Sequence, residues 1–353
     1  MFFMSKRILF ITLFAAVFLG GCTVSPLTGK EGKNASVVKS FTRGESFEPK
    51  GLVATASGKT ATINNFDAVD LVFDPMDSQT LYLGTRSGGL YISFDGGDSW
   101  QVTKINQGAV EAIAIDPKDR CNVYALMASR IIKSADCARN FEVIYFEPRN
   151  KVRLTSLVVD IYNPSILYAG NSVGDLIQSQ NGGKSWSVLK RFSSSLKKII
   201  LSPRDTRVIY VATGYEGIFM SLNQGETWES WREALREFPG SSSFVDLIES
   251  PENPNHLILA SRYGLLKTSD QGGRFENIPI LTRPEEIPLY SVAFNPQDER
   301  EIFYTDTANF YYSKDGGATW TTRKLPVLTK VAVKMLVDPF SPNVIYLGLA
   351  KIK

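Results

Sequence analysis

Short apolar runs separated by turn residues recur along most of the chain, in a unit of 41 to 47 residues. Each unit holds an apolar run ending in an X-Pro dipeptide, two further short runs, and a polar box of pattern Ser-x-Asp-x-Gly-x-x-Trp. In the first unit these are Asp74-Pro75, residues 80–84, residues 90–93 and residues 93–100. Such runs predict strands. We therefore expect four strands per unit, A to D, with X-Pro between A and B and the box between C and D.

Two turn elements mark the units. The X-Pro dipeptide occurs seven times, with X at Asp74, Asp116, Asn163, Ser202, Ser250, Asn295 and Asp338. The box occurs six times, with its third residue at Asp95, Asp136, Asn181, Asn223, Asp270 and Asp315. An Asp or Asn side chain accepts hydrogen bonds from a turn backbone, Gly supplies a positive φ, and the closing aromatic residue packs inward. We interpret the box residues as structural.

Repeated four-stranded units of this length predict an all-β fold, a seven-bladed β-propeller with box turns, over residues 49–353. The chain ends one strand after Asp338-Pro339, so the last blade lacks its outer half. A hairpin of residues 52–56 and 59–63 precedes the first blade. We predict that these N-terminal strands close the last blade and cover its edges. A truncated chain is the alternative explanation.

The first residues resemble a bacterial lipoprotein signal. Lys6 and Arg7 precede an apolar run, residues 8–19, and Leu19-Gly20-Gly21-Cys22 resembles a lipobox. The run is too short to span a membrane. The expectation is a signal peptide over residues 1–21, lipid on Cys22 and a tether over residues 22–48. The protein would then be extracytoplasmic and anchored to a bacterial membrane, the outer one if the host has two. An ordinary secretory peptide or membrane anchor is the alternative.

Net charge and the numbers of His and Cys limit the kinds of partner and site that we expect. The chain has 39 Lys and Arg against 36 Asp and Glu, which gives no electrostatic reason to expect nucleic acid as a partner. A single His, His256, excludes His-cluster metal sites and makes a His-dependent triad improbable, so no metal or cofactor is expected. Cys121 and Cys137 lie symmetrically about the predicted B–C turn of blade two. A disulfide is predicted between them, with two buried thiols as the alternative.

The box and its spacing resemble the Asp-box, or BNR, propeller superfamily over residues 50–353. The superfamily includes sialidases, xyloglucan-active glycosidases, sortilin-type receptors and photosystem II stability and assembly factors. A single lipidated ring most resembles the last group and its bacterial lipoprotein relatives. The resemblance implies a non-enzymatic, protein-binding scaffold or assembly factor for an envelope or membrane complex. The alternative is a glycoside hydrolase, sialidase-like, or a carbohydrate-binding propeller whose partner is a glycan.

The innermost strands, aligned on X-Pro, carry one polar position four residues before X. It holds Asp70, Ala112, Val159, Lys198, Asp246, Ser291 and Lys334. We expect Asp70, Lys198, Asp246 and Lys334 to line the central channel and to neutralise one another. A polar binding funnel is an alternative, and catalysis by Asp70 and Asp246 is another, because glycoside hydrolysis needs two carboxylates.

The B–C turns supply the candidate partner-binding residues, which are Arg86, Arg130, Tyr215, Glu216, Arg262, Tyr263 and Asn309. Arg and Tyr are enriched at interface hot spots, although plain solvated loops are the alternative. Two D–A connections are longer than the rest, residues 229–243 and 277–288. A short amphipathic helix is predicted over residues 231–238. We expect a monomer.

Overall fold

The computed structural model describes residues 34–55, 61–326 and 329–352. Seven four-stranded antiparallel sheets follow one another around a ring, so the predicted seven-bladed β-propeller is confirmed. The described residues form no α-helix. None of their segments is a helix long and apolar enough to cross a membrane.

The strands occupy the same four places in each blade, and blades one to seven are given in order. Strands A are Ala68–Asp74, Ala112–Ile115, Leu154–Val159, Leu196–Leu201, Phe244–Glu249, Ser291–Asn295 and Val331–Val337. Strands B are Asp77–Thr85, Val123–Met127, Leu167–Asn171, Ile209–Thr213, Leu257–Ser261, Asp298–Thr305 and Ile345–Ala350. Strands C are Leu90–Ser93, Arg130–Ser134, Asp175–Ser179, Ile218–Ser221, Gly264–Thr268, Asn309–Ser313 and Val37–Ser40. Strands D are Gln101–Val102, Glu142–Phe146, Ser187–Arg191, Glu229–Ser230, Glu276–Ile278, Thr321–Lys324 and Glu48–Pro49.

The core lies between blades. Seven apolar clusters each join two neighbouring blades, so the ring is held together by burial at every blade interface. Strand B contributes a buried aromatic ring at one register in most blades: Tyr82, Tyr124, Tyr168, Tyr210, Phe303 and Tyr346. Burial raises the pKa of the Tyr82 hydroxyl to about 12.

Each box is a hydrogen-bonded turn. In blade one, Ser93 Oγ donates to Asp95 Oδ1 at 2.8 Å and accepts from Gly97 N at 2.8 Å. Asp95 Oδ1 also accepts from Ser99 N at 2.8 Å. The same three bonds occur in the other five boxes. The side chains of the third box residue are therefore structural, as predicted.

The box of blade two lacks glycine. Cys137 and Ala138 adopt φ of 59° and 65°, where the box of blade one has Gly96 and Gly97 at 66° and 85°. Residues other than Gly rarely adopt this conformation without cost. The predicted disulfide joins Cys137 to Cys121, and Cys137 N donates to Cys121 O at 3.2 Å. A covalent link thus supports the box in which both positive-φ positions hold residues other than Gly.

N-terminal strands close the last blade, but the predicted hairpin is the wrong segment. Val37–Ser40 pairs with Ile345–Ala350 as strand C, and Glu48–Pro49 follows as strand D. Val37 and Val38 are fully buried, so this short apolar segment fills the gap that the last blade leaves. The predicted hairpin instead forms a separate small sheet of Leu52–Val53 and Ala61–Thr62, and Leu52 is 51% exposed.

The propeller therefore begins before residue 49. Ser36 is already fully buried, and its hydroxyl donates to Ile63 O, just before blade one, at 2.6 Å. Arg43 ties the closing segment to blade six through an ion pair with Glu301 at 2.8 Å. The predicted signal peptide and Cys22 lie outside the described residues.

Candidate functional site

The ring has two faces with different constructions. The box face carries the A–B turns, which follow strand A, and the six boxes. The B–C face carries the B–C turns and the D–A connections. On the box face, the residue that ends strand A or directly follows it accepts a hydrogen bond through its side chain. The donor is the backbone N–H two residues later, and the accepting residues are Asp74, Asp116, Asp160, Ser202, Ser250, Asn295 and Asp338. The polar groups of both recurring turns on this face are thus engaged within the turns themselves.

The predicted channel residues line one cavity of about 310 Å³ at the centre of the ring. Lys334 Nζ lies 2.9 Å from Asp70 Oδ1, and Lys198 Nζ forms an ion pair with Asp246. The negative charge of Asp70 raises the pKa of the Lys334 ammonium group. The expected pairing of two Lys with two Asp is what the geometry shows.

Asp70 also joins blades one and two. Its Oδ2 accepts from Ile113 N in blade two at 2.9 Å, and its Oδ1 accepts from Leu71 N at 3.0 Å. Asp246 Oδ1 accepts from Leu247 N at 2.8 Å. Both carboxylates therefore have ammonium and backbone partners, which fits a structural role in the channel wall.

In blade three the channel position is Ser156, and the predicted Val159 is wrong. The A–B turn there begins at Asp160, three residues before Asn163, so the alignment on X-Pro was displaced. Ser156 Oγ accepts from Ile199 N of blade four at 3.0 Å, as Asp70 accepts from blade two. A strand-register irregularity immediately precedes this position in five blades, at Asp70, Ser156, Lys198, Asp246 and Lys334.

Three candidate residues of the B–C face have local partners. Arg86 Nε lies 3.5 Å from Asp67 Oδ2, and the Arg130 guanidinium lies 5.8 Å from the centre of the Phe146 ring. Asn309 Nδ2 donates to both Asp306 carboxylate oxygens at 3.2 Å. Asn309 thus holds its own turn, whereas the two Arg side chains remain exposed.

The other four candidates lie in blades four and five. Tyr215 is 71% exposed, although its hydroxyl donates to Ser193 O at 2.6 Å. Glu216 Oε2 accepts from Ser193 N at 2.8 Å. Arg262 is exposed, and the Tyr263 ring packs edge-on against Phe238 at 5.2 Å. The structure therefore presents Tyr215 and Arg262 to solvent and uses Tyr263 partly for packing.

A cleft of about 600 Å³ opens on the B–C face between blades four and five. Its walls are the Tyr215 turn and the long connection that follows strand D of blade four. That connection forms consecutive turns over residues 231–237, and the predicted helix is wrong. Trp231 and Leu235 are buried and pin the connection, because the Trp231 ring packs on Tyr210 and Phe275.

Sequence reasoning missed the side chains that this connection brings to the cleft. Arg232, Arg236 and Phe238 line it together with Tyr215 and Glu216. Arg232 and Arg236 are exposed. The only sequence signal was the unusual length of the connection. Within the described ranges, no group of three His, Cys, Asp or Glu side chains is placed to hold a metal ion.

Comparison with known proteins agrees with this architecture. The BNR/Asp-box repeat pattern matches residues 311–322, which include the whole box of blade six. An oligoxyloglucan-reducing end-specific xyloglucanase of Emericella nidulans is 25% identical over 207 residues, 49% of this chain and 25% of that protein. A probable enzyme of the same kind from Neosartorya fischeri is 25% identical over 191 residues, 47% of this chain and 23% of that protein. The chain thus spans about a quarter of these curated relatives.

Solved structures of two kinds share the fold. The GH74 xyloglucanase from Xanthomonas campestris superposes with a TM-score of 0.65 and 17% identity, over 80% of this chain and 51% of that one. YCF48 bound to D1 peptide has a TM-score of 0.63 and 14% identity, over 82% of this chain and 92% of that one. YCF48 from Cyanidioschyzon merolae has a TM-score of 0.63 and 15% identity, over 80% of this chain and 95% of that one.

Proposed function

We propose that this seven-bladed Asp-box propeller is a lipid-anchored, extracytoplasmic scaffold that binds a protein partner through its B–C face. It would serve assembly or stability of an envelope or membrane complex. The observation that carries the proposal is the contrast between a channel in which two Lys and two Asp pair with one another and a face whose Arg and Tyr side chains project to solvent.

The channel supports a non-enzymatic role. Glycoside hydrolysis requires two carboxyl groups, one of which donates a proton. Asp70 and Asp246, the two nominated carboxylates, each bond an ammonium group and a backbone N–H. Neither is left free for that chemistry.

The cleft supports recognition of a protein segment. Its volume of about 600 Å³ lies in the range of small binding sites. Tyr215, Arg232 and Arg236 give its rim the composition of interface hot spots. YCF48, whose structure was solved with a bound peptide, aligns with this chain over 92% of its own length. That similarity also favours peptide or protein binding.

Crosslinking in intact membranes tests this function. Wild type is compared with a variant carrying Arg232→Ala, Arg236→Ala and Arg262→Ala, three exposed arginines of the B–C face in and beside the cleft. A control carries Arg139→Ala, Lys184→Ala and Arg274→Ala, three exposed basic residues within the boxes. The proposal expects the partner bands to weaken in the first variant and to persist in the control. An unchanged band profile in the first variant would eliminate the proposed face.

The anchor is tested separately. Mass spectrometry of the mature N-terminal peptide should show acyl groups on Cys22, and Cys22→Ala should release the protein from membranes. An unmodified Cys22 would refute the anchor.

A carbohydrate-directed function is the second candidate, and similarity to the xyloglucanases favours it. Under this alternative the protein releases reducing sugar from xyloglucan or dye from a sialoside, and Asp70→Asn or Asp246→Asn abolishes the release. A full substrate panel without turnover by wild type would exclude hydrolysis. Glycan binding without turnover would show as retention on immobilised polysaccharide.

A further inference from the structure

We propose that the B–C face lies against the membrane and that a basic cluster in blades two and three contacts anionic phospholipid headgroups. This orientation rests on the proposed anchor at Cys22. It adds a second binding surface, distinct from the cleft in blades four and five.

The first argument is where the chain enters the ring. Asn34 Oδ1 accepts from Thr329 Oγ1 at 2.9 Å, and residue 329 belongs to the D–A connection before blade seven. Val37 pairs with Gly348 near the B–C end of strand B, and Ser40 pairs with Ile345 near the opposite end. The chain therefore enters at the B–C face and runs toward the box face.

The second argument is reach. Twelve peptide steps separate Cys22 from Asn34 in the sequence. Fully extended, such a length spans at most about 40 Å. A lipid on Cys22 thus keeps the B–C face near the bilayer, and the box face can approach only if the chain doubles back across the blade.

The third argument is the basic cluster itself, defined as Arg130, Lys151 and Arg153. All three side chains are exposed. Backbone bonds place them on one surface: Leu154 N donates to Ala128 O at 2.8 Å, beside Arg130, and Ser172 N donates to Arg153 O at 2.8 Å. In the described part of the chain, no carboxylate forms an ion pair with any of the three.

Nearby acids are already neutralised by other groups. Arg149 bonds Glu147 at 2.7 Å and Asp175 at 2.6 Å, and Arg191 lies 3.2 Å from Asp175. The hydrogen bond from Arg149 lowers the pKa of Glu147. This four-residue set carries no net charge, so the positive charge of the basic cluster is not cancelled locally.

The opposite face is rich in carboxylates. Its two recurring turns place eight of them there, alongside basic residues such as Arg139, Lys184 and Arg274. The eight are Asp74, Asp95, Asp116, Asp136, Asp160, Asp270, Asp315 and Asp338. An anionic bilayer attracts basic residues near its surface and repels carboxylates. Exposed Phe146 and Val173, 54% and 50% accessible, border the basic cluster and suit the headgroup region.

Fluorescence quenching in vesicles tests the orientation. The mature lipoprotein is labelled at Asn150→Cys on the B–C face or at Gln180→Cys in the box of blade three, both exposed positions. The native disulfide and the acylated Cys22 leave the new thiol as the labelling site. Vesicles contain headgroup-spin-labelled lipid in phosphatidylcholine, with or without phosphatidylglycerol.

With phosphatidylglycerol, the label at position 150 should be quenched several-fold more than the label at position 180. Arg130→Gln with Lys151→Gln and Arg153→Gln should reduce that difference, as should high salt. Arg139→Gln with Lys184→Gln and Arg274→Gln is the matched control and should not. Equal quenching at both positions, or no response to the basic-cluster variant, overturns the orientation while leaving the anchor intact. Failure to co-float with vesicles refutes the anchor and this orientation together.

Discussion

The two faces of the ring are built from the same strands and differ in how their polar groups are used. On the box face, each Ser and Asp or Asn of a box bonds within its own turn, and the turn repeats with little change around the ring. On the B–C face, loop lengths differ between blades and exposed Tyr and Arg side chains project outward. The most recognisable residues of the sequence therefore maintain the fold, and the least regular ones are the candidates for binding.

The largest expected effect is the difference in unfolding free energy between a substitution in a box and one on the B–C face. Trp100 closes the box of blade one and is fully buried, so Trp100→Ala should cost about 3–5 kcal/mol of unfolding free energy. Tyr215 is 71% exposed on the B–C face, and Tyr215→Ala should change that free energy by less than about 0.5 kcal/mol. Chemical denaturation measures both. Equal losses would abolish the distinction between the faces.

The second-largest loss of stability is expected on removing the disulfide, which lies on the box face. Cys121 and Cys137 are separated by 16 residues in the sequence. Closing a loop of that length stabilises a protein by roughly 3 kcal/mol, so Cys121→Ser with Cys137→Ser should lose about that amount. Reductant should destabilise wild type to the same degree and leave the double variant unaffected. A reductant-insensitive wild type would argue against the bridge.

A smaller effect is expected for one hydroxyl of a box. Ser93 is buried, donates to Asp95 and accepts from Gly97 N. Ser93→Ala leaves that N–H without its partner, which should cost about 1–3 kcal/mol. Ser87→Ala, an exposed residue in the B–C turn of the same blade, is the control. Denaturation midpoints that move equally would contradict the structural role of the box.

The smallest effect is a change in acid sensitivity. The Thr319 hydroxyl and backbone donate hydrogen bonds to Asp315 and lower its pKa from 3.8 to about 2. Because the ionised form is favoured in the folded state, this stabilisation is complete above about pH 4 and is lost as the pH falls through about 2.

Asn181 and Asn223 show that a box can use an uncharged residue. Asp315→Asn should therefore flatten the dependence of stability on pH between 4 and 2. Urea midpoints across that range measure it, with Glu226→Gln, an exposed box residue of blade four, as the control. A steeper profile for Asp315→Asn would reverse the sign of the argument.

Much of this arrangement was accessible from the sequence because the turn chemistry repeats. Asp95 and its equivalents mark the C–D junction in six of the seven blades, and the distance between copies indicates four strands per blade. The disulfide also followed, because Cys121 and Cys137 flank one predicted hairpin symmetrically. The paired channel charges followed from a single register position, although in blade three a longer A–B turn moved that position from Val159 to Ser156.

Two features were missed for physical reasons. Val37–Ser40 is only four residues long and pairs with strand Ile345–Ala350 at the other end of the chain. The turn after it, residues 40–47, is a degenerate box with Thr42 in the Asp position, although Gly44 N donates to Ser40 Oγ at 2.9 Å as in the other boxes. The cleft depends on how the connection after blade four docks through Trp231. Its Arg side chains meet Tyr215 only after that docking.

Site-specific photocrosslinking in intact membranes tests the central claim most directly. A photoreactive residue replaces Tyr215 on the B–C face or Leu222 in the box of blade four, which are 71% and 50% exposed in the same blade. Capture of a discrete membrane-protein partner from position 215, and none from position 222, is the predicted result. Equal capture from both positions, or capture from position 222 alone, would contradict a binding function of the B–C face.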